Sequence, residues 1–330
     1  MKKFLIITLS IVLLVTVYAV IDSLIARAQK NYLDYNREPV SEVEPSELGE
    51  YDAEAYFSYV SNQPQIYPEN QNITIEASNY SHIEGEQEIL DLYEGVSNPL
   101  LTKESGSVTW DFIVDEEGFY NILVNYFPYE GKSSSVERTI YINGEVPFTG
   151  ANNIVFHRLW ASDGQPKIDI HGNDIRPSQV ETPFWTNDFV KDSIGYVNEP
   201  YQFYFEEGIN RITIESVREP LLIDSIELLS VSEVKSYEDV YQIYQDMNYQ
   251  LVDEQLMIQA EDVSYTSSPT LYPLNDRTSP LTMPSHPSLV KLNTIGGANW
   301  RVSGDQMTWS FEVETSGLYQ ISMRVKQKLA

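Results

Sequence analysis

Residues 108–124 read VTWDFIVDEEGFYNILV, and residues 307–323 read MTWSFEVETSGLYQISM. With Trp110 set on Trp309, seven of the sixteen positions from Thr109 to Val124 are identical: Thr109/Thr308, Trp110/Trp309, Phe112/Phe311, Val114/Val313, Gly118/Gly317, Tyr120/Tyr319 and Ile122/Ile321. Trp110, Phe112 and Val114 are two apart, as are Tyr120 and Ile122, which is the period of a strand with one buried face. The residues between them, Asp111 and Ile113 against Ser310 and Glu312, differ between copies. The gap DEEG or ETSG ends in glycine, which takes positive φ without steric cost. Each copy reads as a β-hairpin whose inward side chains are shared and whose outward ones drift, with Trp110 and Trp309 in the core.

Upstream, ITIEASNY from Ile73 matches LMIQAEDV from Leu256, a strand ending in Ala77 or Ala260; the second copy holds sixteen more residues between this strand and its Trp. Downstream of the first hairpin, RTIYINGEVPF carries Asn143-Gly144, a two-residue turn signal. YQFYFEEGINRITIESV reads as strand, turn at Gly208 and strand, and LLIDSIELL closes the unit. Short strands and turns without helical periodicity from 72 to 231 predict an all-β sandwich of jelly-roll type. Residues 232–254 are expected to be a helical linker: SYEDVYQIYQDMNY opens on Ser236 and Asp239, an N-cap pattern, and spaces Val240, Ile243, Tyr244 and Met247 at helical intervals. Residues 255–330 then give a partial second sandwich without the closing strands, expected as the front piece of a longer protein.

The N-terminus places Lys2 and Lys3 before eighteen apolar or weakly polar residues, Phe4 to Ile21. That length suits a membrane-spanning signal anchor over residues 1–30 with the body outside the cell; a cleaved signal peptide, with Ala26-Arg27-Ala28 as the site, is the alternative. Residues 31–71, acidic and broken by proline, read as a linker with one short helix around 52–60. Forty-nine Asp and Glu against twenty-one Lys and Arg, a net charge of −28, disfavour nucleic acid as a partner. The chain has no cysteine, which excludes disulfides, thiolate nucleophiles and a lipidated-cysteine anchor.

The order strand-EA, hairpin with G-x-Y, ING, EGxNxIxI and IDSIEL resembles the galactose-binding-like sandwich of carbohydrate-binding modules such as families 6 and 35. SSPTLYPLNDRTSP (267–280), KLNTIGGANWRV (291–302), GNDIRPSQVETPFW (172–185) and EPYQFYFEEGINRITIESVREP (199–220) resemble the N-terminal region of large extracellular solute-binding proteins of Gram-positive ABC importers. The resemblance covers about Ile73 to Leu329. It implies a non-catalytic region that binds an oligosaccharide or polysaccharide. It also implies ABC permease subunits as partners, through a solute-binding domain that this sequence does not contain. In the modules a structural calcium lies between the first strand and the last, so the resemblance makes Glu76 and Asp224 its candidate ligands; oxygen donors suit that ion. A second class of function, a surface scaffold whose sandwiches bind proteins, stays open.

The stretch from Ala151 to Pro200 is too long for a turn. It mixes aromatic and polar residues, Trp160, Trp185, Phe184, Tyr196, Asn173, Asp174 and Arg176, in the manner of an apolar wall with a few placed polar groups. It is expected to form a ligand or docking surface; a core-capping role for Trp160 and Trp185 is the competing reading. EGKSSS at 130–135 lacks the first glycine and the helix of a phosphate loop. The four histidines have no metal-ligand spacing and no pair of acids stands out, so an enzyme is not expected.

Overall fold

The computed structural model describes residues 53–231 and 235–326. The expected membrane span and the first part of the expected linker lie outside them; among the described residues, no helix is long and apolar enough to cross a membrane. The described residues open with helix α1 (Ala53–Asn62), then β1 (Asn72–Glu76), β2 (His82–Glu84), β3 (Glu88–Ile89), β4 (Leu100–Thr102) and the quoted hairpin, β5 (Ser107–Val114) and β6 (Gly118–Phe127). There follow β7 (Val136–Ile142), β8 (Ile154–Phe156), β9 (Trp160–Ser162), β10 (Gln179–Glu181), β11 (Thr186–Phe189), β12 (Gln202–Phe205), β13 (Gly208–Arg218) and β14 (Leu221–Ser230).

Two antiparallel sheets form a sandwich. One runs β11-β6-β14-β4-β3, with β1 also on β14 and β12 also on β6; the other runs β8-β7-β13-β5-β2. The period-two pattern meets in the middle: Trp110, Val114, Tyr120, Ile122, Phe203, Phe205, Ile212 and Ile214 are all buried in one cluster. The Trp110 indole N–H donates to Ala77 O at 3.0 Å, so burial leaves it no unpaired donor. Gly118 has φ +147, and a Cβ there would lie 2.5 Å from Pro68 and 2.7 Å from Ile66 O, so no other residue fits the entry to β6.

Two expectations need correcting. The linker is expected to run to residue 71, but helix α1 from residue 53 already packs on the sandwich. Tyr56 on α1 is buried against Phe148 and Tyr201, and the hydroxyls of Tyr56 and Tyr59 accept the N–H groups of Gln202 (3.1 Å) and Tyr204 (2.8 Å) on β12. The helix therefore covers a strand edge that would otherwise stand open. Asp224, read on the same face as Leu222, Ile226 and Leu228, sits instead at a register shift in β14. Leu221 and Ile223 point into the core before it and Ile226 and Leu228 after it, because the bulge adds one residue and reverses the alternation.

The later part holds helix α2 (Tyr237–Asp246), capped by Ser236 Oγ, which accepts the Asp239 N–H, and four two-residue strands: β15 (Tyr265–Thr266), β16 (Pro273–Leu274), β17 (Thr294–Ile295) and β18 (Met307–Thr308). The expected second hairpin has not closed into a ladder. β5 is flanked by β2 and β13, and β6 by β11, β12 and β14, whereas among the described residues β18 has only β15 beside it. A hairpin with no flanking strands is marginal by itself.

Candidate functional site

The insertion between β8 and β12 reaches the later part of the same chain. β9 pairs with β10 and with β15, setting Trp160 opposite Glu181 on one side and Thr266 on the other. Asp169 fixes the next turn by accepting the backbone N–H of His171 and Asn173 at 2.8 Å and the Asn173 amide at 2.9 Å; the Asn173 bonds hold its carboxyl below the usual carboxylate range. The turn then presents Asn173 Oδ1 to the Val290 N–H (2.9 Å) and Asp174 to Lys291 Nζ (2.7 Å) and the Leu292 N–H (3.1 Å). The Arg176 guanidinium lies 3.7 Å from the Tyr272 ring centre, and Phe184 meets Tyr265 edge-on at 5.1 Å.

The structure thus brings Trp160, Asn173, Asp174 and Arg176 together, but against residues 265–292 rather than around an open pocket. Tyr196 stands elsewhere, 60% exposed, on a loop held by Asp192, whose carboxylate accepts the N–H groups of Ile194, Gly195, Tyr196 and Val197.

Trp185 lies on the outer face of the seven-stranded sheet. Phe127, Leu101 and Leu222 point outward there, opposite to their core-facing neighbours, and form a second buried cluster. Trp185 tilts over Phe127 at 5.6 Å and its indole N–H donates to Tyr93 O at 3.1 Å. Tyr93 meets Phe127 edge-on at 5.1 Å and Tyr129 at 5.4 Å. Trp185, Tyr93 and Tyr129 are half-buried, so each keeps one part in the cluster and one in water. Burial foremost, then Tyr129, Glu130 and Glu94, push the Tyr93 phenol above its usual range.

The wall is held by a buried ion pair. Arg158 Nη2 meets Glu219 Oε2 at 2.8 Å with both side chains out of solvent, and Nη1 meets Glu181. Arg158 also donates to Ser134 O and Tyr129 O, each at 2.9 Å. Glu219 accepts the Ser134 hydroxyl (2.8 Å) and the Lys132 N–H (2.7 Å). A Cβ on Gly131 would fall 2.0 Å from Glu219 Oε2, which explains the glycine in EGKSSS. Burial by itself would raise the Glu219 carboxyl, but Ser134, Lys132 and Arg158 together hold it below its usual value. Glu219 has φ +61, a conformation uncommon outside glycine, kept here by this network. Tyr93, Tyr129 and the pair Arg158–Glu219 were missed in the sequence because their partners are 23 to 92 residues away in the chain. The aromatic residues of FPYE at 127–130 were the one local signal.

Of the two candidate calcium ligands, Asp224 accepts the Asn125 amide at 2.9 Å and is pushed up by burial, while Glu76 is exposed on β1 opposite Ser225. Among the described residues, no group of three or more His, Asp or Glu is gathered that could hold a metal ion.

No protein-family model matches the chain, and no curated protein matches it. Among solved structures, a family 35 carbohydrate-binding module from Clostridium thermocellum is 12% identical, over 49% of this chain and 99% of that one, with a TM-score of 0.30. The family 35 module from Paenibacillus barcinonensis is 15% identical, over 48% and 99%, with a TM-score of 0.29. A β-(1,4)-mannanase of Podospora anserina that carries such a module is 16% identical, over 50% of this chain but only 28% of its own, with a TM-score of 0.30. The functional reading therefore rests on the residues themselves.

Proposed function

We propose that this chain is an exported, non-catalytic carbohydrate-binding region, tethered through residues 1–30 and belonging to a solute-binding protein of an ABC importer. The observation that carries carbohydrate binding is the half-exposed wall of Trp185, Tyr93 and Tyr129. Aromatic faces take the C–H face of a sugar ring, and Glu94 and Glu130, close enough to act on the Tyr93 phenol, can accept its hydroxyls. The importer context and the membrane tether rest on the sequence resemblance and on the N-terminal apolar run. Oligosaccharides and polysaccharides titrated against the chain are expected to change tryptophan fluorescence saturably, with Trp185→Ala and Tyr129→Ala weakening binding tenfold or more and Arg176→Ala leaving it intact. Binding that ignores both wall variants, or no binding across a broad glycan array, overturns the reading.

A further inference from the structure

The aromatic wall stands in charge of one sign. Tyr93 lies on a ribbon in which Leu90 N donates to Pro99 O at 3.0 Å and Asn98 N to Asp91 O at 3.1 Å, with Leu92 opposite Ser97 and Tyr93 opposite Val96. Two residues close the ribbon, Glu94 and Gly95, and both have positive φ, +46 and +85. Those are the signs of a type I′ turn, whose first position is usually asparagine, aspartate or glycine. A glutamate there is held in a conformation uncommon for a residue with a Cβ. A Cβ on Gly95 would meet nothing within 4 Å, so the turn projects into water and carries the Glu94 carboxylate beside Tyr93. Glu130 follows Tyr129 directly, and both glutamates are exposed. Each is near enough to raise the Tyr93 phenol, after burial and Tyr129.

No cation balances these two carboxylates. The basic residues in the segments that build the wall are Lys103, Lys132 and Arg158, and each is already engaged. Lys103 Nζ meets Glu88 at 2.7 Å, Lys132 Nζ meets Glu104 at 2.9 Å, and Arg158 is enclosed between Glu219 and Glu181. Among the described residues, no ion pair engages Glu94 or Glu130. The whole chain adds to the same sign, with a net charge of −28. The faces of Trp185, Tyr93 and Tyr129 are themselves negative by their ring quadrupoles and attract an ammonium group. A sugar with a protonated amine therefore offers a C–H face to stack and a charge that both the rings and the carboxylates favour. A uronic or sulfated sugar brings a second negative charge to a place with no free cation to meet it.

We propose that the wall of Trp185, Tyr93 and Tyr129 selects glycans built of amino sugars with free, protonated amines and turns away uronic and sulfated ones, with Glu94 and Glu130 setting the preference. The inference rests on the carbohydrate-binding reading of the same wall and adds the charge of the ligand.

The test titrates the full chain with three oligosaccharides of equal length, made of glucosamine, N-acetylglucosamine or galacturonic acid, in mildly acid buffer of low ionic strength, and follows tryptophan fluorescence and calorimetry. The glucosamine oligomer should bind about tenfold more tightly than the N-acetylglucosamine one, the order expected of one cation–π contact and two exposed ion pairs. The galacturonic acid oligomer should bind most weakly. Raising the salt concentration should narrow the gap, because exposed charges are screened. Glu94→Gln combined with Glu130→Gln should bring the glucosamine and N-acetylglucosamine affinities within about twofold of each other. Glu238→Gln combined with Glu312→Gln removes the same charge from the later part of the chain and should keep the preference. Both double variants alter exposed side chains, and their melting temperatures confirm that they fold. Equal or tighter binding of the neutral or acidic oligomer refutes the amino-sugar preference while leaving carbohydrate binding in place. A preference that survives the first double variant, or that the second removes equally, refutes the role of Glu94 and Glu130. No binding of any of the three, or of any glycan on a broad array, overturns the carbohydrate reading and this inference with it.

Discussion

Glu219→Gln tests the frame that holds the aromatic wall. The glutamine keeps the size of the side chain but removes the charge facing Arg158 Nη2, and its amide nitrogen donates rather than accepts, leaving one oxygen for the three donors that Glu219 now satisfies, from Arg158, Lys132 and Ser134. Removing one partner of a buried pair typically costs about 3–5 kcal/mol, because the remaining charge stays desolvated. Arg158 retains Glu181, which places the expectation near the lower end, about 3 kcal/mol. For a sandwich of this size that is a fall in melting temperature of about 6–12 °C. Urea unfolding followed by tryptophan fluorescence gives the free energy directly. The double variant Arg158→Met with Glu219→Leu should lose less than the two single losses combined, since neither charge is then stranded. The pH dependence follows from the same network. The folded carboxyl sits below its unfolded value, so its contribution is complete above the unfolded pKa and disappears as pH falls through the folded one. The wild type should therefore lose stability in acid more steeply than Glu219→Gln. A loss under about 1 kcal/mol at neutral pH, the range of exposed pairs, would refute the reasoning.

Four further outcomes are expected. Tyr59→Phe should cost about 1 kcal/mol by leaving the Tyr204 N–H without its acceptor, read as faster amide exchange in β12. The Tyr56 phenol, pushed up to about 12 chiefly by burial, should ionise late in an ultraviolet alkaline titration; its folded pKa lies above the unfolded one, so its contribution is complete below about pH 10 and fades as pH rises towards 12. Arg176→Ala combined with Lys291→Glu should release residues 265–292 from the first module, read as faster proteolysis there with the first module's melting temperature unchanged. A calcium chelator should leave the melting temperature within about 1 °C, because Asp224 is served by Asn125; a larger drop would show calcium held at Glu76 and Asp224.

The hairpin is the clearest case of a feature legible in the sequence. Trp110, Phe112 and Val114 declared a buried face by period two, and local alternation is what a strand with one wet side imposes. The helix over 237–246 was equally legible, since Ser236 and Asp239 cap it through contacts three residues apart. Asp224 failed for a local reason that sequence does not mark, because a bulge inserts one residue and inverts the parity on which its placement rested. The site was legible in part. Trp185 was named, but its partners Tyr93 and Tyr129 lie on strands and loops whose adjacency is a property of sheet order.

The sequence by itself determined that alternate residues of 108–124 are buried on a sheet, because that pattern depends only on neighbours two positions apart. Only the tertiary structure decided that Asn173, Asp174 and Arg176 face another part of the same chain, and that Arg158 and Glu219 neutralise one another out of water. Only it showed Phe311 uncovered where Phe112 is enclosed. Whether an apolar side chain is shielded, or a charge paired, depends on which distant strand lies beside it, and that is set by the packing of whole sheets.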